Sequence, residues 1–174
     1  MTRLAAQQLA PQLGDLQANR TLALSAIREA VSAGAEVIVL PELVTSGYMF
    51  SRTEEAAAVA IGTDHEILRE WAAEAAAADI VLVGGFCELG EDGGVYNSAA
   101  VIDATGLRAV YRKLHLWDGE KLIFTPGSEP PPVIDTRVGR VGVVICYDLE
   151  FPELTRSVAL AGAQLLVVPT NWPL

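Results

Sequence analysis

The sequence contains very little cysteine and histidine. Among its 174 residues there are only two cysteines, Cys87 and Cys146, and two histidines, His65 and His115. Two cysteines this far apart provide neither a disulfide framework nor the paired spacing of a zinc site, so we expect no disulfide and no metal. Free thiols are typical of a reducing compartment, which predicts a cytoplasmic protein.

Long apolar runs and clusters of basic residues are also lacking. No hydrophobic stretch approaches the roughly 20 residues that span a bilayer. Gln7 and Gln8 interrupt the N-terminal segment where a signal peptide needs an apolar region. With 12 Lys and Arg against 22 Asp and Glu, the formal net charge is −10. We expect neither nucleic acid nor a membrane as a partner, because an acidic chain without a basic cluster binds both poorly.

Hydrophobic residues, in contrast, are abundant and occur in short segments. They make up 51% of the chain, which is typical of a sheet covered by helices. The length predicts one domain, and the strand–helix–strand order of the first 40 residues is that of a crossover unit. The predicted strands are 3–9, 36–40, 80–86, 95–103, 107–112, 133–137, 139–146 and 164–169, and the predicted helices are 15–34, 53–60, 64–78 and 153–162.

The stretch 140–152, RVGVVICYDLEFP, combines a buried strand with a sharp change of direction. β-Branched residues lead to Cys146, and Pro152 suits the first turn of a helix because its missing N–H costs nothing there. Cys146 is therefore predicted where a strand turns into a helix, a geometry that exposes a side chain beside free backbone N–H groups. On this stretch alone, an inert buried cysteine stays the alternative.

Two other predicted strand ends carry charged residues. Glu42 follows Pro41 in LPELVTSGY, in apolar company that includes Tyr48, and Lys113 closes a strand in YRKLHLWDGEKLIFTPG. Because ligands collect at strand ends in open α/β sheets, Glu42, Lys113 and Cys146 are candidates for one site. The set is chemically complete: a glutamate in an apolar pocket can accept a thiol proton and later activate water, and a lysine can stabilise an oxyanion.

These three segments, with the opening AAQQLAPQLGDLQAN and the hairpin YNSAAVID, resemble the nitrilase superfamily of carbon–nitrogen hydrolases. The order Glu, Lys, Cys matches that superfamily, and the similarity covers essentially the whole chain. The resemblance implies an α/β fold, an α-β-β-α sandwich whose sheets stack across the interface of a homodimer or higher homo-oligomer. It also implies hydrolysis of non-peptide C–N bonds in a small amide, N-carbamoyl compound or nitrile, through a thioester or thioimidate and without a cofactor.

The resemblance also implies a role for each residue of the site. By motif, Glu42 is the general base, Lys113 the cation beside the oxyanion and Cys146 the nucleophile. Glu120 corresponds to a second glutamate, in the loop after the lysine, that holds Lys113 and the substrate. The backbone N–H of Tyr147 is the expected second oxyanion donor.

The remaining candidates concern the substrate pocket and two rival assignments. Tyr48 and Trp172 are expected to bind substrate. The acidic surface, Trp117 and Trp172 predict a partly aromatic pocket for a small uncharged or mildly polar acyl group. Cys87, predicted at a strand end beside a loose turn, is an alternative nucleophile that we expect to be inert. His115 could form a papain-like pair with a cysteine, but we expect it to be structural and hydrogen-bonded to loop backbone.

The C-terminal segment departs from the superfamily pattern. Thr170-Asn171-Trp172-Pro173 resembles the motif that ends the strand after the nucleophile, and superfamily members continue beyond it with further strands. We therefore expect residues 1–174 to be one hydrolase domain that is the N-terminal part of a longer domain. Two alternatives stay open: a glutaminase-like domain that supplies ammonia to a partner synthetase, and a truncated nitrilase-fold domain without catalytic activity.

Overall fold

The chain folds into two β-sheets with helices on their outer faces, as seen in a computed structural model that describes residues 1–172. The strands are β1 (Leu4–Ala6), β2 (Val37–Val39), β3 (Val81–Leu89), β4 (Val95–Asp103), β5 (Gly106–Arg112), β6 (Val133–Thr136), β7 (Gly139–Val143) and β8 (Leu165–Val167). The helices are α1 (Leu16–Ser32), α2 (Thr53–Ala57), α3 (Glu66–Ala78) and α4 (Pro152–Leu160). Two 3₁₀ turns, Asp118–Leu122 and Cys146–Glu150, follow β5 and β7.

The larger sheet has five strands in chain order. β1, β2 and β3 are parallel, whereas β3, β4 and β5 pair as antiparallel hairpins. One face of this sheet packs against α1 and α3 through a cluster that includes Ile27, Trp71 and Leu82. β2 and β5 run in the same direction, so the segments that follow them, with Glu42 and Lys113, leave the sheet at the same edge.

The smaller sheet contains β6, β7 and β8, and it packs on the free face of the larger one. Val83 and Val101 of the large sheet belong to one buried cluster with Val143 and Val167 of the small sheet. α4 covers the outer side of β7, where a Cβ on Gly142 would collide with Val158. The resulting order of helix, sheet, sheet and helix confirms the predicted α-β-β-α sandwich.

Every predicted helix and strand is present, but several boundaries differ. β3 continues to Leu89 because it pairs along its length with β4, so Cys87 lies inside the strand opposite Asn97. The predicted position of Cys87 at a strand end was therefore wrong. β7 ends at Val143, which leaves Cys146 in the following 3₁₀ turn rather than in the strand. Within residues 1–172, the helices are all too short or too polar to cross a membrane.

Candidate active site

A buried lysine lies between two buried glutamates where β2 and β5 end. Nζ of Lys113 is 2.6 Å from Oε1 of Glu42 and 2.8 Å from Oε2 of Glu120, and none of the three side chains is more than 5% exposed. The side-chain amide of Asn97, in β4, donates to Oε1 of Glu42 at 2.8 Å and to Oε1 of Glu120 at 2.7 Å. Charge-assisted hydrogen bonds therefore fix the lysine and both carboxylates relative to one another.

The 3₁₀ turn at Asp118–Leu122 places Glu120 in this cluster. Its Oε2 accepts a hydrogen bond from the backbone N–H of Trp117 at 2.6 Å, which orients the carboxylate towards Lys113. The structure thus brings Glu120 into contact with Lys113, as the sequence motif predicted. The pKa of Lys113 is lowered by burial, but the charges of Glu42 and Glu120 outweigh burial and raise it above its ordinary value.

Glu42 keeps one carboxylate oxygen free. Its Oε1 bonds Lys113 and Asn97, whereas Oε2 is buried and has no hydrogen-bond partner within residues 1–172. Burial is the largest cause that raises the pKa of Glu42, and it exceeds the opposing effect of Lys113. A desolvated carboxylate with a free oxygen and a raised pKa is suited to accept a proton.

A glycine in β3 allows the Glu42 loop to reach this position. Leu43, the next residue, has a φ of +50°. A Cβ on Gly85 would lie 2.6 Å from Cα of Glu42 and 2.5 Å from the backbone nitrogen of Leu43. Any larger side chain at position 85 would displace the loop that carries the carboxylate.

Cys146 begins the other 3₁₀ turn in a left-handed conformation, with a φ of +45°. This conformation is rare for a residue other than glycine and is typical of side chains held at functional turns. The backbone N–H of Cys146 donates to the carbonyl oxygen of Pro169 at 3.0 Å, and that of Glu42 donates to Thr170 at 3.3 Å. The segment after β8 therefore ties the cysteine turn of the small sheet to the glutamate loop of the large sheet.

The Cys146 side chain reaches a cavity of about 600 Å³ although little of the residue is exposed. Burial and then the charge of Glu42 raise the pKa of the thiol to about 11, against the lowering effects of the Asn171 backbone and Lys113. At neutral pH the thiol is therefore protonated, and Glu42 and Lys113 both act on it electrostatically. The cavity is lined by Tyr48, Trp117, Cys146, Tyr147, Glu150, Asn171 and Trp172. These include Tyr48 and Trp172, predicted to bind substrate, and Tyr147, the predicted oxyanion donor.

Sequence reasoning missed Asp148, which fixes the Cys146 turn. Asp148 is fully buried and accepts hydrogen bonds from the backbone N–H of Ile145 at 3.2 Å and the hydroxyl of Tyr111 at 2.8 Å. It also accepts from the backbone N–H of His115 at 2.9 Å. The feature that could have identified Asp148 is an acidic residue in an apolar stretch, two positions after the candidate nucleophile. Asn97 was also missed, and the feature that could have identified it is an amide side chain inside a predicted buried strand.

His115 contacts Asp148 and Phe151, so its predicted hydrogen-bond partner was wrong. Its Nδ1 lies 2.8 Å from Oδ1 of Asp148 rather than against loop backbone, and its ring stacks on Phe151 with the centroids 3.6 Å apart. The carboxylate reaches the imidazole because Asp148 points back from the Cys146 turn towards the segment after Lys113. This arrangement directs the histidine to Asp148 rather than to the thiol.

Cys87 has the properties of an inert thiol. It is completely buried in β3, where its Sγ lies 3.5 Å from the carbonyl oxygen of Ala56. Burial and then the charge of Glu88 raise its pKa to about 12. Within residues 1–172, no three His, Cys, Asp or Glu side chains are grouped so that they could hold a metal ion.

Comparisons with known proteins agree with the fold. The carbon-nitrogen hydrolase family model matches residues 3–173. A nitrilase from Pyrococcus abyssi is 38% identical over 98% of this chain and 65% of its own length. An omega-amidase from Homo sapiens is 38% identical over 96% of this chain and 62% of its own length.

Solved structures give the same result. An amidase from a Nesterenkonia species has a TM-score of 0.84 and 32% identity, covering 97% of this chain and 64% of that one. Variants of that amidase carry acrylamide, or the acetamide moiety of fluoroacetamide, covalently added at the active-site cysteine. The chain thus spans somewhat less than two thirds of the length of each of these relatives. With the family model matched from residue 3 to residue 173, the chain belongs to the carbon–nitrogen hydrolase family of the nitrilase superfamily.

Proposed function

We propose that the protein hydrolyses the C–N bond of a small amide, N-carbamoyl compound or nitrile through a thioester or thioimidate on Cys146. The observation that carries the proposal is the junction of the two sheets. There the protonated thiol of Cys146 reaches a cavity. The carboxylate of Glu42, which has a free oxygen, raises the pKa of this thiol, and the buried ammonium of Lys113 lowers it. The amidases and nitrilases among the relatives support the reaction class.

In the first half of the reaction with an amide, Glu42 acts as the general base. Oε2 accepts the proton from the Cys146 thiol while Sγ forms a bond to the carbonyl carbon. Negative charge develops on the carbonyl oxygen, and Lys113 and the backbone N–H of Tyr147 stabilise it. Collapse of the tetrahedral intermediate breaks the C–N bond, Glu42 gives its proton to the leaving nitrogen, and a thioester remains on Cys146.

The second half uses the same carboxylate to activate water. A water molecule gives a proton to Glu42 and forms a bond to the thioester carbon, and the oxyanion is held by the same two donors. Collapse breaks the C–S bond, and the proton returns from Glu42 to Sγ. The free acid leaves, and the site regains its initial protonation state.

The protonation states of the resting site suit this sequence of steps. A thiol with a pKa near 11 is not a thiolate at neutral pH, so the proton must leave during the attack. Glu120 and Asn97 hold Lys113 and the bound oxygen of Glu42, which leaves Oε2 for proton transfer. We propose Glu120 as a positioning residue for Lys113.

The function is tested with a panel of short aliphatic amides, carbamoyl amino acids, nitriles, glutamine and short peptides. Hydrolysis of small amides, carbamoyl compounds or nitriles is the expected result. Activity confined to glutamine would support the glutaminase-like alternative. Activity confined to peptides would contradict the reaction class. A folded protein that hydrolyses no member of the panel would support the non-catalytic alternative.

Lys113 should control the reactivity of Cys146 even when no substrate is present. In the wild-type protein the ammonium lowers the thiol pKa, so Lys113→Met should raise it and slow alkylation near neutral pH. The measurement is the rate of iodoacetamide labelling against pH. Superimposable curves for two folded proteins would place Lys113 away from the nucleophile.

Replacing His115 with glutamine should leave measurable amidase activity. The imidazole contacts Asp148 and Phe151, so its loss affects the support of the Cys146 turn rather than the proton transfer. Initial rates of the variant and of Cys146→Ala, measured with the same amide, provide the comparison. If the histidine variant is as inactive as Cys146→Ala, the rival Cys–His pair has to be considered again.

A further inference from the structure

The cavity at Cys146 has one charged wall. Of the residues that line it, Tyr48, Trp117, Tyr147 and Trp172 are aromatic, and Glu150 is the only charged one within the described part of the chain. Glu150 is exposed, and its side chain makes no ion pair or hydrogen bond within residues 1–172. A free carboxylate beside several aromatic faces is the environment that recognises an organic cation.

The cationic side chains nearest to this wall lie outside the cavity, as Lys121 does in a neighbouring pocket that shares Tyr147. Among residues 1–172, no Lys, Arg or His side chain lines the cavity, and Lys113 is already paired with Glu42 and Glu120. The adjoining pocket, which shares Tyr48 and Trp117 with the cavity, adds a further exposed carboxylate, Asp118. The chain as a whole carries a formal charge of −10, so its field also attracts cations.

The backbone of Glu150 lies at a short distance from that of Cys146. Cys146 begins the 3₁₀ turn and Glu150 ends it, four residues later. At about 2.0 Å per residue, the two ends of such a turn are separated by about 8 Å along its axis. An acyl chain of about four methylene groups that ends in an ammonium spans this separation once the length of the ion pair is included.

We propose that this cavity selects small amides that carry a positively charged amine or guanidinium group several bonds from the C–N bond that is cleaved. Glu150 is the ionic partner of that group, and the aromatic side chains contact it by cation–π interactions. The inference rests on the proposed amide hydrolysis and names its substrate class. The sequence-based prediction of an uncharged or mildly polar acyl group did not consider Glu150, because the sequence alone does not place that residue in the pocket.

Two amides of nearly equal size test the proposal. The amine of 5-aminopentanamide is protonated at neutral pH, whereas hexanamide is neutral and has the same number of heavy atoms. We expect the wild-type protein to show a kcat/KM about tenfold higher for the cationic amide, as an exposed ion pair and a cation–π contact together supply. In Glu150→Gln the ratio should fall to about threefold, because the ion pair is lost and the cation–π contacts remain, and added salt should lower the ratio in the wild type.

Glu153→Gln is the matched control, because Glu153 is an exposed carboxylate on α4 that does not line the cavity, and this variant should keep the wild-type ratio. Equal hydrolysis of the two amides by the wild type, or an undiminished preference in Glu150→Gln, would overturn the proposal while leaving amide hydrolysis intact. If neither amide is hydrolysed, the proposed function fails, and binding to Cys146→Ala decides the inference separately. Tighter binding of 5-aminopentanamide than of hexanamide, measured by calorimetry, supports it, and equal binding overturns it.

Discussion

Replacing Cys146 with serine is expected to lower amide turnover by about four to six orders of magnitude, the scale seen when a catalytic nucleophile is removed. A hydroxyl is a far weaker acid than a thiol, so Glu42 could not take its proton during the attack. Serine has nearly the same shape, so the turn with the left-handed φ of +45° should survive the substitution. The measurement is kcat/KM for the best amide, together with the melting temperature.

Cys87→Ala is the control for this prediction and should show the opposite pattern. Its side chain is completely buried in β3 and does not reach the cavity. Loss of the sulfur should lower the free energy of unfolding by about 1–2 kcal/mol and leave kcat/KM unchanged. Loss of turnover in Cys87→Ala, with activity retained in Cys146→Ser, would contradict the assignment of the nucleophile.

Glu42→Gln is expected to lower kcat/KM by about two to four orders of magnitude. Glutamine preserves size and can still bond Lys113, but it cannot accept the thiol proton. Because burial raises the pKa of Glu42, wild-type activity should rise with pH through a carboxyl pKa above the ordinary glutamate value. Below that pKa the base is protonated and inactive. The variant should lose this acid limb of the pH profile.

The double variant Glu42→Gln with Lys113→Met shows whether the charges of Glu42 and Lys113 act on the same reaction centre. Loss of the lysine alone should cost about two to three orders of magnitude, as for other oxyanion donors. The double variant should be little worse than the poorer single variant, because groups that act as a unit are not additive. If the rate losses of the two single variants multiply in the double variant, Glu42 and Lys113 act in separate steps.

Thermal stability gives a second readout of the same pair. Lys113→Met removes the cation between two buried carboxylates, Glu42 and Glu120, and an unpaired buried charge is strongly destabilising. Glu42→Gln in the same protein removes one of these carboxylates. The melting temperature of the double variant should therefore exceed that of Lys113→Met, although its activity is no higher. A lower melting temperature would contradict the buried three-charge arrangement.

The members of the candidate triad could be named from the sequence because each follows a strand in a recognisable local motif. Glu42 follows a strand and a proline, Lys113 directly follows β5, and Cys146 precedes a helix that begins with proline. The local sequence pattern and the order of the three motifs along the chain are sufficient to name these residues. The α-β-β-α layering was implied by the resemblance and is confirmed by the packing of the two sheets.

The supporting residues could not be predicted because their partners lie far away in the sequence. Asn97 meets Glu42 and Glu120 only after three strands have assembled, and Asp148 meets Tyr111 only when the two sheets have packed together. The end of β3 depends on pairing with β4 rather than on its own composition, which is why the position of Cys87 was wrong. The predicted homo-oligomer and the single-domain organisation stay predictions.

All other proposed roles in the site depend on Cys146 being the group that attacks the substrate. The most direct measurement is peptide mapping by mass spectrometry after incubation of the folded Glu42→Gln variant, which cannot complete turnover, with fluoroacetamide, from which Sγ displaces fluoride. We expect an acetamide adduct on the peptide that contains Cys146, none on the peptide that contains Cys87, and slower adduct formation when Lys113→Met is added. An adduct on Cys87, or equal labelling of the two cysteines, would contradict this role of Cys146.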